Sequence, residues 1–342
     1  MKHEIKFVSN PDLAFVKKDF RGNVVIDGIF CNADVKDKPP TWKAVKWKLS
    51  ANPQREEKKK DTFKLETVID RSFIENNDDV TLWLGHSFFY IRLDGTVYLT
   101  DPIESDLPTA EREVAVPYGI NELGKIDYIL LSHAHFDHFD IPTLKKIVAA
   151  NPDVEILGPL GMNTLLKGDP FVSVSRQEAG WFQTYKTGEH TITFLPAKHW
   201  SRRGLFDFNN ILWGGFAISS KSIKIYFAGD TAKEPDFFSA IDSLYKGFDL
   251  CFIPVGSYSP RFLMEEEHVN PEEALELFQT LNGKHFIPMH YGTYDLSDEP
   301  LGEPIERLKE NARRMGIIDS IHDISVGEPV YIDKLFDLIW QN

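Results

Sequence analysis

The chain has 342 residues, 42% of them hydrophobic and 13% aromatic, enough to bury a sizeable core in one large or two medium domains. No apolar run approaches the roughly 20 residues that cross a bilayer, and Cys31 and Cys251 alone exclude a disulfide framework or a thiolate zinc knuckle. A formal net charge of −14 argues against nucleic acid as a partner, because that binding is driven by Lys and Arg displacing counterions from phosphates.

The charge is uneven along the chain. Residues 1–64 hold 15 Lys/Arg against 9 Asp/Glu, so a basic arm precedes an acidic body. Pro39-Pro40 and the charge run Arg55 to Lys60 lead us to expect an irregular basic extension over residues 1–75, packed on or beside the body, with one short helix near Thr41 to Leu49. Trp42 and Trp47 lie among Lys43, Lys46 and Lys48, the pattern of an interfacial segment, which makes anionic membrane a candidate partner of the arm; a solvated linker is the alternative. Met1 to Lys6 lack the apolar core of a secretory signal, so the expected location is cytoplasmic, peripheral at the membrane.

From residue 76 onward short apolar runs alternate with turn signals. Strands are expected over Val80–Leu84, Ser87–Leu93, Thr96–Thr100 and Ile126–Ser132, then near Val154–Leu157, Thr191–Leu195, Ile211–Ser219, Ile223–Ala228, Leu250–Val255 and His285–His290. Helical stretches fall near Ile141–Ala150, Glu234–Tyr245, Pro271–Leu281 and Ile305–Met315. That order of strands and helices implies an α/β layered catalytic domain over 76–342.

The densest chemical signal is Ser132-His133-Ala134-His135-Phe136-Asp137-His138-Phe139-Asp140, which follows an apolar strand and precedes a helix entry, with Asp140 as the cap and Pro142 in the first turn. Three histidines this close are costly to bury and repel one another when charged; a divalent cation resolves both problems. His and Asp without Cys suit zinc, with iron or manganese also compatible. Further donors end other apolar strands: His199, Asp230 and His290.

The cluster His-x-His-x-Asp-His, the lone His199, Asp230 in Ala-Gly-Asp-Thr and the final His290 together resemble the metallo-β-lactamase superfamily, whose fold is a four-layer αβ/βα sandwich with a binuclear site at its edge. Trp83-Leu84-Gly85-His86, Leu99-Thr100-Asp101-Pro102, His199 to Arg203, Leu212-Trp213-Gly214-Gly215, Ile253 to Tyr258, His268 to Ala274 and His290 to Thr293 resemble N-acyl-phosphatidylethanolamine-hydrolysing phospholipases D, as does Asp27 to Asn32. The resemblance implies one metal held by His133, His135 and His199, a second held by Asp137, His138 and His290, and Asp230 bridging them. Asp137, Asp230 and His268 are the candidate catalytic residues; His268, in a block matching that family, would orient phosphate or protonate the leaving oxygen, or else is a helix-entry histidine beside Asn270 and Pro271. His86 and Asp101 read as hydrogen-bonding supports for ligands.

The expected function is therefore that of a binuclear metal-dependent hydrolase, with two divalent ions, Zn²⁺ first. It is expected to act as a phospholipase D-type phosphodiesterase on N-acyl-phosphatidylethanolamine-like lipids through a metal-bridging hydroxide. A lactone or carboxylic-ester hydrolase, or a non-catalytic binding module, is the alternative. A small-molecule or lipid substrate is the expected partner, and a second copy of the chain in a homodimer is another candidate.

Overall fold

The computed structural model describes residues 4–33, 37, 39 and 41–337; Met1 to His3 and Pro40 lie outside the described residues. In the N-terminal segment, β1 (Ile5–Val8), β2 (Ala14–Phe15), β3 (Asn23–Ile26) and β4 (Ile29–Phe30) replace the irregular chain expected there. β1, β3 and β4 form a small antiparallel sheet. Its β3–β4 hairpin turns on Asp27-Gly28, whose φ values of 51° and 88° meet the demand of a two-residue turn for two left-handed residues. α1 (Thr41–Leu49) falls where a short helix is expected, and α2 (Arg55–Lys60) and α3 (Ser72–Glu75) follow. The charge run is thus the helix α2, and Lys58 ties it to the Asp295 carboxylate and the Ser297 carbonyl.

The body continues through β5 (Val80–Trp83), β6 (Phe89–Leu93), β7 (Thr96–Thr100), β8 (Tyr128–Leu130), α4 (Ile141–Ala150), β9 (Glu155–Pro159), β10 (Ser175–Ala179), β11 (Gln183–Thr184) and β12 (Thr191–Leu195). It ends with β13 (Gly215–Ser219), β14 (Lys224–Phe227), α5 (Pro235–Tyr245), β15 (Phe248–Pro254), α6 (Arg261–Met264), α7 (Pro271–Thr280), β16 (Gly283–Met289), α8 (Glu303–Met315), β17 (Pro329–Tyr331) and α9 (Ile332–Asp337). Two large sheets result, ordered β10-β9-β8-β7-β6-β5-β17 and β16-β15-β14-β13-β12-β11-β2. The two-residue β2 therefore joins the N-terminal segment to the edge of the second sheet through Phe15 and Gln183.

Alternation along the first sheet explains the layering. Trp83, Phe89, Ile91 and Tyr98 point toward the second sheet and pack with Phe194, Phe216 and Phe252, while Leu82, Tyr90, Leu99 and Ile129 point the other way onto Leu144 and Ile147 of α4. On the far side of the second sheet, Ile241, Leu275, Phe278 and Leu308 come from α5, α7 and α8. Helices outside two facing sheets make the four-layer αβ/βα sandwich. Both faces of the inner strands are covered, so those strands are predominantly apolar.

Several expected strands are shorter than their apolar runs, β8 holding only Tyr128–Leu130 of Ile126–Ser132 and β13 only Gly215–Ser219 of Ile211–Ser219. Ile211 to Gly214 stay out of the ladder, and Gly214 donates its N–H to the Ser132 carbonyl at 3.1 Å instead, binding two loops at the sheet edge together. β7, β8 and β9 run parallel, as do β14, β15 and β16. Asp101, His133, Asp230 and His290 follow the carboxyl ends of β7, β8, β14 and β16, and His199 follows β12. This is the rim where open α/β sheets present ligand sites.

The loop carrying the histidine cluster is closed at its far end by Asp140, whose Oδ2 accepts from Ser105 Oγ at 2.7 Å and from the Thr143 N–H at 3.3 Å at the start of α4. Asp140→Ala is expected to cost about 1–2 kcal/mol of stability, as loss of a helix cap does. Urea denaturation checks it, and an unchanged midpoint would contradict the assignment.

Candidate metal centre

The backbone sets the donors first. Asp101, in a left-handed conformation with φ of 36°, sits one residue past β7 and accepts the Ser132 N–H at 2.7 Å through Oδ1. Its other oxygen takes Ser132 Oγ–H at 2.5 Å and His138 Nδ1–H at 2.7 Å. His133 in turn donates Nδ1–H to Ser132 Oγ at 2.9 Å. One buried carboxylate thereby orients two rings and leaves the Nε2 lone pair of each facing inward. His199 is turned the same way, its Nδ1–H donated to the Glu267 carbonyl at 2.9 Å. His290 is held by φ of 63° and by its N–H on the His86 carbonyl at 3.1 Å. Gly229 lets the Asp230 loop close onto the Gly214 carbonyl, which a Cβ would approach to 2.6 Å.

The seven donors inferred from sequence lie around one carboxylate. His133 Nε2, His135 Nδ1 and His199 Nε2 form one group, with His135 Nδ1 2.9 Å and 3.2 Å from the other two nitrogens. Asp137 Oδ2 lies 3.5 Å from His138 Nε2 and 3.6 Å from His290 Nε2, forming the second group. Asp230 Oδ2 stands between the groups, 3.8 Å from His133 and His199 and 3.1–3.2 Å from His138 and His290. Donors about 2.1 Å from a tetrahedral zinc ion are spaced roughly 3.3–3.4 Å apart, so both groups have the spacing a cation requires. Among the described residues, the buried Nε2 atoms of His138 and His290 and Oδ1 of Asp230 have no hydrogen-bond partner. Buried donor atoms left without a protein partner within such clusters of His and Asp fit a metal ion better than internal pairing.

Electrostatics divide the two groups. Burial holds His135 down at about 3 and His199 at about 4, and His133 lies well below its ordinary value, so the first group is neutral. In the second group burial also opposes charge, but Asp230 and Asp137 outweigh it. They raise His138 well above the imidazole range and push His290 up to about 9. Asp137 and Asp230 stay ionised despite burial because His138, among other neighbours, holds them well below the carboxylate range. Without a cation, protons on His138 and His290 balance the two carboxylates.

Two supporting residues expected from sequence are in place. His86, kept neutral by burial at about 3, donates Nε2–H to Asp137 Oδ2 at 2.9 Å, and Asp101 acts as described. His268 faces the centre: its buried Nδ1 has no hydrogen-bond partner and lies 3.9 Å from Asp230 Oδ2. The remaining histidines lie elsewhere. His190 contacts Tyr98 and Asp94, His285 contacts His322, and His3 is outside the described residues. Sequence reasoning missed Arg203. Its Nη1 donates to the carbonyls of Ala134, His135 and Phe139 at 3.0, 3.3 and 2.8 Å, and its guanidinium lies 4.1 Å from the Phe136 ring, so it clamps the ligand loop from outside.

A cleft of about 360 Å³ opens beside His199. Trp200, Phe208 and Leu263 give it apolar walls, the body adds Lys198 and Glu267, and the N-terminal segment closes it with Trp42 and Lys43. Among the described residues, no helix is long and apolar enough to cross a membrane.

The family model for the beta-lactamase superfamily domain matches residues 96–291. N-acyl-phosphatidylethanolamine-hydrolyzing phospholipase D 1 of Caenorhabditis elegans is 34% identical over 242 residues, which cover 67% of this chain and 68% of that protein. The mitochondrial N-acyl-phosphatidylethanolamine-hydrolyzing phospholipase D of Saccharomyces cerevisiae is 32% identical over 262 residues; these cover 73% of this chain and 55% of that protein, so the chain spans about half of that relative's length. Among solved structures, Igni18, a metallo hydrolase of Ignicoccus hospitalis, shares the fold with a TM-score of 0.55 at 22% identity, over 73% of this chain and 97% of its own.

A cation held by the second group would compete with protons for His138 and His290, so zinc affinity is expected to rise with pH up to about 9, the value for His290, and loading at neutral pH is expected to release protons. Competition titrations with a chromophoric chelator across that range check this, and a pH-independent affinity would contradict it. Asp101→Asn is expected to weaken metal binding about 10- to 100-fold while circular dichroism stays unchanged.

Proposed function

The chain belongs to the β-lactamase superfamily and is a metal-dependent hydrolase, and from that footing we propose that it is a two-metal phosphodiesterase of the phospholipase D type. Its substrate class is N-acyl-phosphatidylethanolamine-like lipids. The observation that carries the reading is the position of Asp230 Oδ2 between two three-donor groups, the arrangement in which one carboxylate serves two cations. His133, His135 and His199 would hold one ion and Asp137, His138 and His290 the other. Divalent ions there would supply a nucleophile from water at neutral pH and neutralise charge on the phosphoryl oxygens.

The chain's own residues do the rest. Asp101, Ser132 and the Glu267 carbonyl keep protons on the outward Nδ1 atoms of His138, His133 and His199, so that each Nε2 stays free as a donor. Burial holds His268 well below the ordinary imidazole value, so it stands neutral, and its Nδ1, without a hydrogen-bond partner among the described residues, is free to hydrogen-bond a phosphoryl oxygen. The apolar walls of the cleft, Trp42, Trp200, Phe208 and Leu263, support a substrate with acyl carbon; its polar lining mixes Lys43 and Lys198, the latter paired with Glu266, with Asp37 and Glu267. Support for the lipid class also comes from the two relatives named for hydrolysing N-acyl-phosphatidylethanolamine.

Metal-loaded protein is expected to hydrolyse bis(p-nitrophenyl) phosphate and to leave a simple lactone untouched. Turnover of the lactone alone would replace the phosphodiester reading with a carboxylic-ester one. Asp230→Asn is expected to lose most bound metal and nearly all turnover. His268→Ala should lower turnover about 100-fold or more with metal content unchanged; if it empties the site instead, His268 is a ligand.

A further inference from the structure

Three of the five histidines around Asp230 are oriented by a hydrogen bond at the outward nitrogen: His133 through Ser132 Oγ, His138 through Asp101 and His199 through the Glu267 carbonyl. Among the described residues, the outward Nε2 of His135 and Nδ1 of His290 have no such partner, although both atoms are buried. Without that bond a ligand ring is oriented only by its backbone and by what packs against it. His290 has both supports. Its left-handed φ of 63° aims the side chain, and the His86 ring lies 4.0 Å away, pinned in turn by its bond to Asp137.

His135 is held from one stretch, His199 to Arg203. Its carbonyl accepts from the N–H groups of His138 and Phe139 at 3.2 and 2.9 Å and from Arg203 Nη1 at 3.3 Å, which fixes the base of the side chain. The ring meets three others edge-on, with centroids 4.6 Å away in His133, 5.0 Å in His199 and 4.6 Å in Trp200, at interplanar angles of 81°, 85° and 74°. His133 and His199 belong to the same donor group as His135 and meet it nitrogen to nitrogen. Trp200 is thus the one ring of the three that supports His135 from outside the group. Edge-to-face contact stabilises beyond the area it buries, because ring edge and ring face carry opposite partial charge.

Trp200 acts through its ring. The indole leans on Phe208, with centroids 5.8 Å apart, and its Nε1–H lies near the Glu267 carboxyl but completes no hydrogen bond of ordinary geometry among the described residues. Trp200 and Phe208 are also walls of the cleft beside His199. One side chain therefore touches both the cleft and a ring of the metal centre. We propose that Trp200 is a positioning residue: it holds the His135 ring with Nδ1 turned toward His133 and His199, and so sets the metal affinity of the first donor group from the cleft wall. That role rests on the two-metal reading given above; the contact between the rings does not.

The test follows zinc binding by chelator competition in the full chain, comparing wild type with Trp200→Leu, Trp200→Phe and His135→Ala. Turnover of bis(p-nitrophenyl) phosphate is measured in parallel as zinc is raised. Wild type is expected to bind in two steps. Trp200→Leu fills space without a ring, and is expected to weaken one step about threefold to tenfold, the scale of an edge-to-face contact, with the other step unchanged. The weakened step should be the one that His135→Ala abolishes, and half-maximal turnover should move to higher zinc by the same factor. Trp200→Phe should behave as wild type, because a phenyl ring keeps the contact and the indole N–H is not needed. The unchanged step and an unchanged circular dichroism spectrum show that Trp200→Leu folds. Wild-type affinity in both steps of Trp200→Leu, equal weakening of both steps, or the same weakening in Trp200→Phe overturns the positioning role. So does a loss of turnover in Trp200→Leu with zinc binding unchanged, which would leave Trp200 as a wall of the cleft alone. A wild type that binds a single ion would overturn the two-metal reading instead, and the positioning role would then stand or fall on whether Trp200→Leu weakens that ion.

Discussion

Nitrogen and carboxylate lone pairs repel one another at the distances found around Asp230, where Nε2 of His138 and of His290 lie 3.1 and 3.2 Å from one buried oxygen. Water cannot relieve that repulsion, because these side chains are almost wholly buried. Positive charge must stand among them, either as protons on His138 and His290 or as metal ions. The rest of the architecture can be understood as the frame that holds these donors together against their mutual repulsion. Parallel strands end at one rim, positive-φ residues turn the chain sharply there, and two facing sheets press the loops together from both sides.

The frame works through shared contacts. Asp101 serves His138 directly and His133 through Ser132, so displacing one carboxylate would release a ring in each metal-binding group. Arg203 binds three carbonyls of the histidine loop from the solvent side. Arg112 performs the same office near His86, donating to the carbonyls of Leu84, Ile103 and Val114 and to the Tyr294 hydroxyl. Two arginines thus add hydrogen bonds to carbonyls around the sharp turns, which helps those turns persist at the edge of a buried centre.

Much of this was legible in the amino-acid order because ligand chemistry concentrates rare residue types. Histidines 133, 135 and 138 stand out by density, and His199, Asp230 and His290 by their place after apolar runs. The buried strands announce themselves for the same reason, since both faces need apolar side chains. Other features were hidden because their partners are remote in sequence. β2 is two residues long and exists only by pairing with β11, and the polar Ser175–Ala179 strand is strand only because it lies along β9. Arg203 bonds to carbonyls, which carry no side-chain signature. The Asp27-Gly28 hairpin did have a local signal, a dipeptide suited to two left-handed residues, but the flanking strands are too short for periodicity to reveal them.

The cleft beside His199 has walls of separate origin. Its floor and the metal donors come from the sandwich, whereas Trp42 and Lys43 arrive on a helix fastened from outside through Trp47 and Asp298. No metal donor lies on that helix, and no bond described above links it to one. Changes along α1 can therefore reshape the cleft while the cluster of donors stays as it is. Such a layout separates the shape of the cleft from the geometry of the donors, so a few residues on a nine-residue helix can alter the one without the other.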